Sequence, residues 1–166
     1  MPIRWVTPAT LPPRPELPDR PPLADGVDPA RAVVRGKVLH VVDGDTLLVG
    51  ASIGPLWVRL AGVDAYERGR PGSRAAHLWA LGQQILAEQC LGRMVFGCWD
   101  SLQPTLDRFG RAIFYLGRVD DLHDVNRGMI LRGGGRAWRR GTYSRRSEFE
   151  GVEALARWLS AGVWGL

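Results

Sequence analysis

Beyond residue 32 the apolar positions fall in short β-branched runs broken by glycine-bearing turns, the spacing of strands rather than of long helices. Val33, Val34, Val38, Leu39, Val41 and Val42 lead into an Asp43-Gly44 turn, from which Thr46-Leu47-Leu48-Val49 emerges. A second turn over residues 50–55 delivers Leu56-Trp57-Val58-Arg59-Leu60. Asp-Gly between two such runs is a hairpin signal, so these segments predict a three-stranded antiparallel meander.

The period then changes. Ser73 can cap a helix whose apolar positions Ala75, Leu78, Gly82, Ile85 and Leu86 follow three-and-four spacing to about Gln89. Met94-Val95-Phe96-Gly97-Cys98-Trp99 and Ala112-Ile113-Phe114-Tyr115-Leu116 read as two further strands. Val125–Leu131 reads as a short helix stopped by Gly133-Gly134-Gly135. Ser147-x-x-Glu150 has the form of a capping box, opening a helix with Phe149, Val152, Leu155, Ala156 and Leu159 inward. The expectation is one domain over residues 31–166, mainly β with helices (α+β), with five strands and three helices. Nine of the 12 prolines lie in residues 1–30, a segment that cannot hold a helix or a central strand and is expected to be a tail or linker.

Composition changes this picture only modestly. The net charge of +5 and a pI near 10.0 suit a polyanionic partner, and Lys37 is the one lysine among 22 basic residues. Cys90 and Cys98 have neither metal spacing nor a Cys-x-x-Cys arrangement, which argues against zinc and thioredoxin-like chemistry. No run approaches the roughly 18 apolar residues of a membrane span. Residues 1–30 lack the apolar stretch of a signal peptide, so a cytoplasmic location is the default and the location itself stays open.

Candidate chemistry gathers in two clusters. The first is Asp43-Gly44-Asp45-Thr46 followed by Arg59, Asp64 and Glu67; the second is Asp107-Arg108-Phe109-Gly110-Arg111. Acids and arginines at strand ends are the groups that phosphodiester hydrolysis needs. Carboxylates hold a hard cation, a base activates water, and forked guanidinium donors meet a phosphate as it gathers charge. Asp45 and Asp64 are placed to share a metal while Glu67 faces its water. Arg59, with apolar neighbours, needs an anionic partner, either Glu67 or a phosphate.

Other signals carry less. Gly50-Ala51-Ser52-Ile53-Gly54 matches a nucleophile-elbow pattern, but a strand follows where a helix is required. His40, His77 and His123 have no metal spacing. Lys37 precedes all the carboxylates, against the arrangement of a restriction-type nuclease. Residues 136–146 hold Arg136, Arg139, Arg140, Arg145 and Arg146 with Trp138 and Tyr143 and no acid. That composition fits a solvated face and equally a surface that tracks a nucleic-acid backbone, with Arg139, Arg140 and Tyr143 as its contacts.

The ordered set of Asp-Gly-Asp-Thr, Arg-Leu-x-x-x-Asp-x-x-Glu and Asp-x-Phe-Gly-Arg resembles the staphylococcal nuclease-like (thermonuclease) family over residues 33–164. The resemblance implies a five-stranded OB-fold barrel with three helices, and Ca²⁺-dependent hydrolysis of DNA and RNA that leaves a 3′-phosphate. It further implies Asp45 and Asp64 as carboxylate ligands of Ca²⁺, Ala65 as a carbonyl ligand, Glu67 as general base, and Arg59 and Arg111 on the scissile phosphate. Tyr66 stands where the family commonly has proline, and Tyr143 alone stands where it tends to offer two tyrosines. The expected protein is thus a monomeric, sugar-non-specific nuclease that does not act at a membrane. An OB-fold module that binds single strands without cutting is the alternative, and an adaptor acting through the proline-rich tail is a third reading.

Overall fold

A computed structural model describes residues 26–166; most of the proline-rich segment, residues 1–25, lies outside the described residues. Five strands close into a barrel: β1 (Val34–Val41), β2 (Thr46–Ala51), β3 (Gly54–Leu60), β5 (Met94–Trp99) and β6 (Ala112–Arg118). Their order around the barrel is β1-β2-β3-β6-β5, with β5 returning to β1. The antiparallel meander predicted over the first three strands is present, and β5 pairs antiparallel with both β6 and β1. The exception is β3 with β6, which run parallel and place Arg59 opposite Ile113. A minor ladder joins β4 (Val63–Asp64) to β7 (Arg136–Ala137). This pair was not legible in the sequence, because two residues carry no period.

The barrel interior is filled by Val38, Leu47, Val49, Val58, Leu60, Val95, Phe114 and Leu116, all at most 1% exposed. Their alternation with exposed Arg35, Lys37 and Leu39 on β1 is the period-two pattern of a sheet with one buried face. A one-residue irregularity in the β1–β2 register falls between Val38 and His40, just past the residues of β1 that pair with β5.

Three helices, α1 (Arg74–Cys90), α2 (Val125–Leu131) and α3 (Arg146–Trp158), cover the barrel. Ser73 caps α1 as predicted, its hydroxyl accepting from the Ala76 amide at 3.1 Å. Gly82, Ile85 and Leu86 are buried, whereas Leu78 is half-buried and Ala75 exposed, since the first turn meets the loop at Gly69 instead of the barrel. Asp124 caps α2 by accepting from the Arg127 amide.

The capping box expected at Ser147 is not formed. α3 starts earlier, with Arg145 at its N-cap position and no side-chain cap, and Glu150 pairs with Arg146 across one turn. Arg145 itself is buried between Asp124 and Glu148 and stacks on Tyr115 and Phe149, which holds the helix start without a hydroxyl cap. Phe149, Val152, Leu155 and Ala156 face inward as predicted, but Leu159 lies past the last turn and is 53% exposed. No described helix is long and apolar enough to cross a membrane.

Candidate active site

The turn between β1 and β2 begins the site. The Asp45 amide donates to Asp43 Oδ1 at 3.0 Å, closing an Asx turn, and Gly44 between them is tightly held. A Cβ there would stand 2.9 Å from Ala65 Cβ and 3.1 Å from the Gly134 carbonyl oxygen, so only glycine lets these three segments meet.

Asp45 and Thr46 then act as a hub. Asp45 Oδ2 accepts from the Ala65 amide at 2.9 Å and lies 3.3 Å from Arg59 Nη2, while Oδ1 accepts from the Thr46 hydroxyl at 3.0 Å. Thr46 Oγ1 in turn accepts from Arg111 Nη1 at 2.8 Å. Arg59 Nη1 donates to the carbonyls of Leu60 and Val63 at 2.8 and 2.6 Å. Arg111 is fixed by Asp107, whose two carboxylate oxygens accept from its Nε at 2.6 Å and its amide at 2.9 Å. The parallel seam between β3 and β6 thus brings two arginines from distant segments onto one hub. The anionic partner of Arg59 is Asp45, not Glu67.

The acids lie alongside. Asp64 ends β4 and pairs with Arg136 at 3.1 Å, and Ala65 follows with its amide on Asp45. Glu67 projects from the next loop, exposed and with no hydrogen bond or ion pair among the described residues. Burial, with the negative charge of Asp45 beside it, pushes the Asp43 carboxyl up to about 6. Among the described residues no group of three His, Cys, Asp or Glu side chains gathers as a metal cluster. The donors that Asp45, Asp64 and the Ala65 carbonyl offer are nonetheless all hard oxygens, beside a crowded pair of carboxylates that a cation would relieve. They fit a divalent ion of the calcium kind.

A cavity of about 510 Å³ opens next to the two arginines. Arg59, Arg108, Arg111 and Arg140 line it together with Phe109 and Trp138. Arg140 is exposed and has no ion pair among the described residues. Arg139, by contrast, is held by Glu153, with Nη1 on Oε2 at 3.0 Å and Nη2 on Oε1 at 3.1 Å. Tyr143 is not on the cavity wall: it is 2% exposed and packs against Gly62, Trp138 and Phe149. The acids that neutralise the arginine-rich stretch are Asp64, Asp124 and three glutamates of α3; Glu148 and Glu150 are local to their partners, but Asp64, Asp124 and Glu153 lie too far away in sequence for a local reading to find. Asp107 and Thr46 were likewise visible only as parts of motifs, and nothing in the sequence showed that they hold Arg111 between them.

No protein-family profile matches the chain. Among curated proteins it is 31% identical to micrococcal nuclease of Shigella flexneri, over 82% of this chain and 76% of that protein. It is 30% identical to protein ParB of Escherichia coli, over 82% of this chain and 75% of that one. It is also 30% identical to an uncharacterized protein of Methanocaldococcus jannaschii, over 78% of this chain and 70% of that one.

Proposed function

Because the chain belongs to the family of micrococcal nuclease, we propose that it is a Ca²⁺-dependent nuclease that hydrolyses phosphodiester bonds of DNA and RNA with little sugar or sequence preference. One observation carries the reading. Arg59 and Arg111, 52 positions apart in sequence (111 − 59), are tied to the adjacent residues Asp45 and Thr46 at the mouth of an arginine-lined cavity. A binding groove needs positive charge, but it does not need guanidinium groups locked in place beside carboxylates.

In this mechanism Arg59 and Arg111 grip the non-bridging oxygens of the scissile phosphate and meet the charge that builds there in the transition state. Their anchors at Asp45, Thr46 and Asp107 keep them aimed before substrate arrives. Glu67, exposed and unpaired, is free to take a proton from the attacking water. Asp45, Asp64 and the Ala65 carbonyl would hold Ca²⁺, which when bound supplies positive charge to the phosphate and lowers the pKa of a water. Arg140 contacts a flanking phosphate from the cavity wall, with Arg139 anchored behind it by Glu153 and Tyr143 packed against Trp138. Attack by the water breaks the P–O5′ bond, so the phosphate stays on the 3′ oxygen and the departing 5′ oxygen takes up a proton from solvent.

Glu67→Gln tests this, since it keeps the size of the side chain and removes the base. Cleavage of a plasmid and of a single-stranded oligonucleotide is expected to fall about 10²–10⁴-fold with binding nearly unchanged. A wild-type chain that binds DNA but cuts neither DNA nor RNA in Ca²⁺, Mg²⁺ or Mn²⁺ would instead be the binding-only OB module.

A further inference from the structure

The loop that presents Glu67 begins with Tyr66, where a proline would have stiffened the backbone. The structure places a different restraint there. Arg136, from the far side of the β4–β7 ladder, has its guanidinium 4.8 Å from the centroid of the Tyr66 ring. The same group donates from Nη2 to Asp64 Oδ2 at 3.1 Å, and its backbone is the register partner of Asp64. Arg136 Nε is buried with no hydrogen-bond partner. The guanidinium therefore sits where stacking and the ion pair hold it, although one of its donors is left unmet.

The segment that brings Arg136 in is built for close approach. A Cβ on Gly135 would lie 3.1 Å from Val63 Cγ1 and 3.3 Å from the Asp64 carbonyl oxygen, and one on Gly134 would lie 2.5 Å from Met129 Cε. The glycine run that stops α2 therefore also seats this chain against the strand carrying Asp64.

We propose that Arg136 is a positioning residue: by stacking on Tyr66 and pairing with Asp64 it clamps the two ends of the Asp64-Ala65-Tyr66 segment, and so sets both the aim of Glu67 and the orientation of the Asp64 carboxylate. The catalytic part of this inference rests on the nuclease reading; the clamp itself does not. The fork of a guanidinium can lie over the ring and reach Asp64 at once, whereas a single ammonium gives up one contact for the other.

Amide hydrogen exchange over residues 65–70, Ca²⁺ binding by calorimetry, and kcat and KM on an oligonucleotide decide the matter in wild type, Arg136→Lys, Arg136→Gln, Tyr66→Phe and Arg136→Gln/Tyr66→Pro. Arg136→Gln is expected to speed exchange in 65–70 about two- to five-fold, the worth of a partly exposed cation–π contact. It should also weaken Ca²⁺ binding and lower kcat, each about 10–100-fold, with KM little changed. Arg136→Lys should keep most of the Ca²⁺ binding yet lose the exchange protection, and Tyr66→Phe, which retains a ring, should behave as wild type. Tyr66 has a negative φ and no backbone bond from its amide, so adding proline to Arg136→Gln should restore slow exchange and part of kcat. Wild-type exchange over 65–70 in Arg136→Gln would overturn the clamp, as would exchange rising equally throughout the barrel. If the wild type cuts no nucleic acid, the nuclease reading fails, while exchange and Ca²⁺ binding still decide the clamp.

Discussion

Thr46 and Asp107 do for Arg111 what Asp45 does for Arg59: each removes freedom from a long side chain before a phosphate arrives. At Asp107 burial pushes the carboxyl upward, but the amide and guanidinium of Arg111 outweigh it and hold the group below the usual aspartate range. It therefore stays charged, and stays paired, to lower pH than an ordinary aspartate. Asp107→Asn keeps the acceptor that closes the turn and removes the charge that anchors Nε. Cleavage is expected to fall about 10²-fold, the usual effect of misplacing a reacting group by about 1 Å, and mainly in kcat. Steady-state kinetics would check this, and an effect confined to KM would mean that Asp107 shapes binding alone. The candidacy of Asp45, Asp64, Glu67 and both arginines was legible in the sequence because each sits in a short motif, and Asp45, Arg59 and Arg111 do meet at one hub. The contacts of Thr46 and Arg136 were not legible, because they cross 65 and 72 positions of chain, and the grip of Asp107 on Arg111 four residues on depends on a turn whose geometry the motif alone does not state.

Among the elements, α3 shows the same divide. Its inward face was readable from periodicity, but its buried acid was not. Glu153 is 1% exposed and accepts from the Ala137 amide at 2.8 Å, from Arg139, and from Arg157. Burial raises its pKa, and the two guanidinium groups with the amide more than reverse this, leaving it below the ordinary glutamate value of 4.5. A lowered pKa means that its stabilisation is complete above 4.5 and is lost as the pH falls below that value toward the folded pKa. Glu153→Gln should therefore cost about 1 kcal/mol at neutral pH, since the two arginines left short of a partner are half exposed, and the gap from wild type should close in acid. Thermal unfolding from pH 7 down to pH about 3 would reveal it. A gap that does not change with pH would mean that packing, not charge, is what Glu153 supplies.

For the molecule as a whole, five strands announce themselves by β-branched runs and glycine turns, whereas the closed barrel was expected from the family resemblance alone and is present. Strand patterns could not give its closure, since the pairing of β3 with β6 is parallel and spans about 50 residues without a local signal. That seam has three register pairs, Val58↔Ala112, Arg59↔Ile113 and Leu60↔Phe114, fewer than any other in the barrel. Parallel pairing is also slightly weaker per residue than antiparallel, and proteins open locally where they are least held. Arg59 and Arg111, to which the proposed function gives the scissile phosphate, stand one on each side of this joint. Warming should part them while the other four seams still hold, so that the barrel behaves like a circuit with a fuse at its working contact. Cleavage rates followed through a temperature ramp are expected to collapse below the midpoint seen by circular dichroism and to return on cooling; coincident curves would show that the seam opens only with the rest. On the nuclease reading, the expected consequence is an enzyme that heat switches off reversibly before it unfolds.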